Sequence, residues 1–225
     1  MTRVQILNDL KAILGPGVGA TDSELNTWIN DSYFQMVDSI QKERWDYFIK
    51  SCLASTVANQ QEYTLPTDFI KMTKVNMKID GTWRPVSPLG DADLRYVDTP
   101  ADTTDQGFSA ASPRYYIYKN TMGLLPVPTA TGSQDIKIWY VYSPSELSTD
   151  SSTPDFPTIY HTNLKYGAFA NYLDRKGEHV AAERMRQRFD EMNQKMVENL
   201  SLHQTGETKS VMVTDYEYYQ DPTWQ

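Results

Sequence analysis

The chain has 225 residues, 40% of them hydrophobic and 12% aromatic, enough to bury a core in one or two domains and too aromatic for bulk disorder. Its formal net charge of −8 repels phosphate, which weighs against sequence-independent nucleic-acid binding, and no basic run opposes that charge. A lone cysteine, Cys52, excludes an intramolecular disulfide, and neither a signal-peptide run nor an apolar stretch of about eighteen residues occurs, so the expectation is a soluble protein of a reducing compartment with no membrane span.

The first element is a short helix. Thr2 caps it, Val4, Leu7, Leu10 and Ile13/Leu14 share one face, and Gly15-Pro16-Gly17 ends it. Thr21-Asp22-Ser23-Glu24 then has capping-box spacing, with the Thr21 hydroxyl serving the Glu24 N–H and the Glu24 carboxylate reaching back. Leu25, Trp28, Ile29, Tyr33, Met36 and Ile40 recur at helical spacing, and the pattern predicts helix over 22–50, through Trp45 and Phe48.

Beyond Ser51 the period shortens to two. Gln61–Pro66 is a short extended run, because proline pushes Leu65 out of helical geometry. Ile70 to Ile79 reads as a strand with Val75, Met77 and Ile79 on one face. Asp80-Gly81 makes the hairpin turn, and Thr82-Trp83-Arg84 returns. Asp91–Val97 suggests a helical turn and 98–112 a loop. Strands resume at Tyr115–Tyr118, turn at Lys119-Asn120, continue at Gly123–Val127 and finish at Ile136–Tyr142. In the last of these Ile136, Ile138, Tyr140 and Tyr142 face one way, and Lys137, Trp139 and Val141 the other.

Ser143–Pro157 is a polar connector, and Pro157 suits the first turn of the next helix, where its missing N–H costs nothing. That helix carries Tyr160, Leu164, Phe169, Tyr172 and Leu173, and Lys176-Gly177 breaks it. A second segment follows with Ala182, Met185, Phe189, Met192, Met196 and Leu200 as a core stripe. The basic cluster Arg175-Lys176 to Arg188 is interleaved with Glu178, Glu183 and Asp190 and reads as a solvated or salt-bridged face.

Catalytic chemistry has no signature here. His161, His179 and His203 lack a second ligand at helical metal spacing and read as solvated helix residues. Asp150–Asp155 lacks the glycine and terminal Glu of a calcium loop. Asp102 and Asp105 could form an acid–base pair only beside a pocket. No G-x-S-x-G, P-loop or dinucleotide fingerprint occurs, and the acidic balance, with few Lys and Arg among the strands, weighs against a base-stacking platform. The expectation is a non-enzyme with no catalytic, cofactor-binding or metal residues.

The predicted fold is α+β: a helical bundle from residues 1–50 and 157–202, an inserted antiparallel β domain over 51–145, a connector at 146–156, and an extended C-terminal tail at 203–225. In that tail Val211, Val213, Tyr216, Tyr218, Tyr219 and Trp224 are the candidate partner-binding residues, since Tyr and Trp favour interfaces. The alternation at Val211 and Val213 allows strand addition to a partner.

Several phrases in order carry a family likeness. They are Trp45-Asp46-Tyr47-Phe48, then Glu62 to Lys71, Gly107 with Ser112 to Ile117, Leu125-Pro126-Val127-Pro128, Trp139 to Tyr142, Thr149-Asp150, and Pro154-Asp155-Phe156-Pro157 with Tyr160. Over roughly 22–200 this order resembles the head–tail adaptor (connector) proteins of tailed bacteriophages. The resemblance implies a virion structural protein at the head–tail interface, assembled from the host cytoplasm. It implies a homo-oligomeric ring, commonly of twelve copies, docked beneath the portal protein. Such a ring extends the channel through which genomic DNA passes and offers a platform to the downstream tail or nozzle protein. It also implies that Val211–Gln225 reaches the portal or a neighbouring subunit. Two other roles stay open on the residues alone. One is a stopper or tail-terminator; the other is a glycan-binding tail component using Trp83 and Trp139, with Asp102 and Asp105 as acids.

Overall fold

Helices begin where the sequence supplies caps. The computed structural model describes residues 1–15, 19–90, 109 and 111–217, with side chains described as far as Leu200. The chain divides into two units, Met1–Tyr47 with Ser145–Gln225, and Phe48–Pro144.

In the first unit, α1 (Arg3–Leu14) starts at Thr2, whose backbone N–H donates to Gln5 Oε1 at 2.9 Å. It stops at Gly15, whose φ of +74° an L side chain would resist and whose N–H returns to the Lys11 carbonyl at 3.0 Å. Ile6, Leu7 and Leu10 are buried; Ile13, expected on that face, is exposed. The capping box at Thr21 forms: Glu24 N–H donates to Thr21 Oγ1 at 3.3 Å and Thr21 N–H to Glu24 Oε2 at 2.8 Å. From it α2 (Asp22–Glu43) buries Leu25, Ile29, Tyr33, Met36, Val37 and Ile40, each contributing about 1.5–3 kcal/mol where the side chain is fully withdrawn from water. A 3₁₀ helix (Thr158–Asn163) leads into α3 (Leu164–Arg175). Gly177, at φ +79°, turns the chain into α4 (His179–Glu217), which buries Ala182, Phe189, Asn193 and Met196.

The second unit is one curled, half-barrel sheet. Its strands are β1 (Ile49–Ala54), β2 (Glu62–Thr64), β3 (Phe69–Ile79), β4 (Thr82–Pro88), β5 (Arg114–Tyr118), β6 (Thr121–Leu125) and β7 (Ile136–Tyr142), in the order β1-β7-β3-β4-β5-β6-β2. The β3–β4 hairpin turns at Asp80-Gly81 with φ of +50° and +79°, as that dipeptide predicts. Tyr63, Leu65, Val75, Val86, Met122, Leu124, Ile136, Ile138 and Tyr140 close its core.

Four expectations from sequence are overturned here. The fold is mixed α/β, with four α-helices and a seven-stranded sheet among the described residues, not a helical bundle carrying an inserted antiparallel β domain. The sheet is not antiparallel throughout, because β4 and β5 pair in parallel at Ser87–Arg114 and Pro88–Tyr115. The helix over 22–50 stops at Glu43: Arg44 leaves helical geometry at φ −137°, and Ile49–Ala54 instead pair with Ile136–Val141 across β7. A non-local ladder of six residue pairs outweighs the apolar spacing that had suggested continued helix. Finally, the C-terminal segment is not extended as far as it is described, since α4 runs to Glu217. The helical turn expected at Asp91–Val97 and most of the 98–112 loop lie outside the described residues.

Candidate functional site

Strand register sorts the side chains of the second unit onto two faces. Inward go the apolar residues of the core and one polar cluster. Lys50 Nζ pairs with Asp68, the Tyr140 hydroxyl donates to Asp68 Oδ1 at 3.1 Å, and Lys50 stands 4.6 Å above the Tyr142 ring. Burial alone would raise the Asp68 carboxyl, but the hydrogen bonds from Lys50 and Tyr140 outweigh it and hold the group below the usual carboxylate range. Burial, then the bond to Asp68, pushes the Tyr140 phenol up. A carboxylate satisfied in this way holds strands together and is poorly suited to act as a base.

The outward face is different in charge. Across β1, β7, β3 and β4 the registers Leu53–Lys137–Asn76–Pro85, Ser51–Trp139–Lys74 and Lys78–Trp83 place Lys74, Lys78 and Lys137 on one side, with Lys71 at the end of the row. Lys137 Nζ lies 4.7 Å from the Trp139 ring centroid, a contact that fixes the ammonium on the face. Trp83 is 42% exposed on β4, and Leu53, on β1 at the other edge of these four strands, is exposed as well. Among the described residues of these four strands no carboxylate shares this side by register; Glu62 stands on the same side of the sheet from β2, where the Tyr116 hydroxyl donates to it at 3.3 Å. The linear sequence hid this row, because its lysines come from two strands and alternate with core residues.

Charge is also divided between the units. Phe48–Pro144 holds nine basic and nine acidic residues, so the whole net charge of −8 sits in the helical unit. There a groove of about 580 Å³ runs between α2 and α4, lined by Ser39, Lys42, Glu43, Asp190, Asn193 and Glu198, with Gln194 and Val197. Lys42 is paired to Asp38 at 2.6 Å. Asn193 is 7% exposed; its Nδ2 donates to Ser39 Oγ at 2.8 Å, while its Oδ1 accepts no hydrogen bond. The groove therefore presents carboxylates, while that acceptor is closed to solvent.

A second cleft, of about 610 Å³ in the sheet unit, is lined by Met77, Ile79, Leu124, Pro126 and Val127 with Asp80 and Asp135. Asp135 is engaged by Thr56, whose N–H donates at 2.7 Å to Oδ1 and whose hydroxyl donates to Oδ2. That carboxylate closes a loop.

The sequence-derived candidates fall as follows. Val211, Val213 and Tyr216 lie on α4, which removes strand addition at Val211 and Val213; Tyr218, Tyr219 and Trp224 lie outside the described residues. Asp102 and Asp105 also lie outside them. His161 is not solvated but 3% exposed, its Nε2 bonded to the Phe156 carbonyl at 2.8 Å and its ring edge-on to Phe156 at 5.3 Å. The 3₁₀ turn that follows Pro157 carries it inward, a geometry that i, i+4 helical spacing does not anticipate. Burial lowers its pKa below the ordinary imidazole value. His179 is exposed and 3.1 Å from Asp174, and the His203 side chain is outside the described set. Around the basic cluster the main ion pairs go to acids other than the interleaved ones, Arg175 to Glu24 at 2.5 Å and Arg186 to Asp174, and Arg186 also reaches Glu183 at 3.7 Å.

Among the described residues no group of three His, Cys, Asp or Glu is placed to hold a metal ion. No helix there is long and apolar enough to cross a membrane. The curated proteins contain no match to this chain. The family model described as SU10 adaptor protein matches residues 1–213. That span takes in nearly every described residue of both units, with the groove and the lysine face inside it. The chain belongs to the SU10 adaptor protein family, a family of phage head–tail adaptors.

Proposed function

We propose that this phage adaptor forms a ring, of twelve copies, that docks beneath the portal, extends the DNA channel and gives the tail or nozzle protein its platform. The family match over 1–213 is the observation that carries this reading. The helical unit supplies the body that packs in the ring, and the inserted strand-rich unit supplies further contact surface. The build of the two units is compatible with it. One unit carries all of the excess negative charge and the other presents exposed aromatic and basic side chains, the kind of surface that assembly uses. A surplus of negative charge keeps passing duplex from adhering to the wall.

Docking to the portal or a neighbour is assigned to the C-terminal segment with Val211, Val213, Tyr216, Tyr218, Tyr219 and Trp224. With α4 continuing to Glu217, the first three present themselves from a helix, so the docking mode is helix against groove. Deleting 211–225 leaves the α4 anchors Ala182, Phe189 and Met196 in place, so the truncated protein folds. It is expected to fail to join filled heads in an in vitro head–tail joining assay. Normal joining by the truncated protein would remove the segment from the mechanism.

A further inference from the structure

β4 changes partners partway along its length, and the sheet opens beside it. It pairs with β3 as far as Val75–Val86, then with β5 at Ser87–Arg114 and Pro88–Tyr115. In the described registers β3 is paired from Phe69 to Lys74 by β7 alone, and β5 from Tyr116 to Tyr118 by β6 alone. A cleft of about 520 Å³ lies between these two edges. β3 is bulged twice here, at Phe69/Lys71 and Met72/Lys74, and bulges bend a strand out of line with its neighbour. The β5 edge is regular. Leu89 N–H donates to the Tyr115 carbonyl at 2.7 Å, so the Tyr115 backbone groups point toward β4. By the two-residue period, those of Ile117 point into the cleft.

The lining is apolar and basic. Ile70 and Ile117 are exposed in it beside Lys71 and Lys119, and among the described residues no carboxylate lines it. Tyr118, next along β5, is 62% exposed, with Lys119 Nζ 5.2 Å from its ring centroid. Exposed apolar side chains gathered at a regular strand edge are a template for an added strand.

We propose that Tyr218–Asp221 of a second copy enters this cleft as a strand added to the β5 edge. Backbone bonds to Ile117 hold it, and its tyrosine side chains cover Ile70 and Ile117. From Ser210 onward the chain carries Asp215, Glu217 and Asp221 and no lysine or arginine, a charge opposite in sign to Lys71 and Lys119. Pro222 has no N–H, so ladder pairing stops there. The segment is also carried away from its own helical unit. From the buried Met196 to Glu217, α4 runs about 32 Å at 1.5 Å per residue. The contact joins two different patches of one chain, the kind that closes into a ring. The inference rests on the ring reading and names where the residues after α4 go.

Two measurements test it. A labelled peptide of residues 215–225 is titrated by fluorescence anisotropy against the chain cut after Ser210. It should bind, and K71E/K119E, checked for folding by circular dichroism, should weaken binding at least about tenfold. A peptide N-methylated at Tyr219 and Gln220, one of which must face β5, should lose binding. In the second measurement, full chain with a photoreactive benzophenone side chain at Tyr219 is mixed with isotope-labelled chain, assembled with portal and irradiated. Crosslinks should run from unlabelled to labelled chain and fall within 69–72 or 115–119. No peptide binding, or binding that survives N-methylation, overturns strand addition. Crosslinks confined to one chain overturn the second copy as the occupant. Crosslinks to portal alone overturn this cleft and leave the ring reading standing. A full chain that forms no ring, with or without portal, overturns the ring reading as well.

Discussion

His161 shows how a single buried side chain couples this fold to pH. Its imidazole is nearly enclosed, with Nε2 donating to the Phe156 carbonyl and Nδ1 2.9 Å from the terminal amino group. Burial first, then the nearby positive terminus, disfavours the imidazolium, while the backbone bonds pull the other way and lose. The folded pKa therefore lies below the unfolded value of about 6.5. Between the two the unfolded chain binds more protons, so stability rises with pH there. The contribution is fully present above about pH 6.5 and is lost as pH falls toward the depressed folded pKa. Chemical denaturation at pH 7.5 and 5.5 should show lower stability at the acid value, and His161→Gln should flatten that difference. Equal slopes in both proteins would remove His161 as the cause. Glu24 acts lower on the same scale. The Arg175 hydrogen bond first, then the Thr21 cap, lowers its carboxyl to about 2, so its share disappears only as pH falls from 4.5 toward that value.

At the scale of elements, Gly167 of α3 shows why these helices approach closely. A Cβ there would lie 2.4 Å from Ser32 Oγ and 2.9 Å from Ser32 Cβ on α2, and 3.2 Å from Phe189 Cδ2 on α4. Ser32 is buried and its hydroxyl is bonded to the Trp28 carbonyl at 2.8 Å, so it has nowhere to move. Alanine would gain about 1 kcal/mol in helix propensity. Overpacking costs about 1–3 kcal/mol, so Gly167→Ala should lower stability by up to about 2 kcal/mol, read as a lower Tm. A higher Tm would mean that the helices separate freely. Nothing in the sequence marks this glycine as a contact, because the neighbour comes from a helix more than a hundred residues away.

The same scale separates what was legible from what was not. The Thr21–Glu24 box, the Asp80-Gly81 hairpin and the Gly177 break are local chemistry, and they form where the sequence puts them. The end of α2 was not legible, since Ile49–Ala54 become a strand only because β7 pairs with them. The lysine face was missed for a related reason. Lys74, Lys78 and Lys137 are scattered among apolar residues in the chain, and only the register between β3 and β7 brings them together. Composition weighed against a base-stacking platform, yet composition averages over two units of unequal charge.

For the whole molecule, adaptor function is a matter of surfaces. A phage adaptor is a structural protein of the virion, and its core elements serve to hold those surfaces in register. The helical unit buries its contacts through Leu25, Ile29, Met36, Ile40 and Leu164, and the sheet unit through the residues of its curled inner face. Among the described residues, the remaining side chains include an acidic groove between α2 and α4 and a row of lysines on the sheet, and α4 runs on to Glu217. In the proposed function, copies of this chain join one another and the portal. Native mass determination of the purified protein, alone and mixed with portal, tests it most directly. A complex of fixed stoichiometry with portal is expected, with adaptor copies matching the ring. Failure to associate at any ionic strength would contradict it.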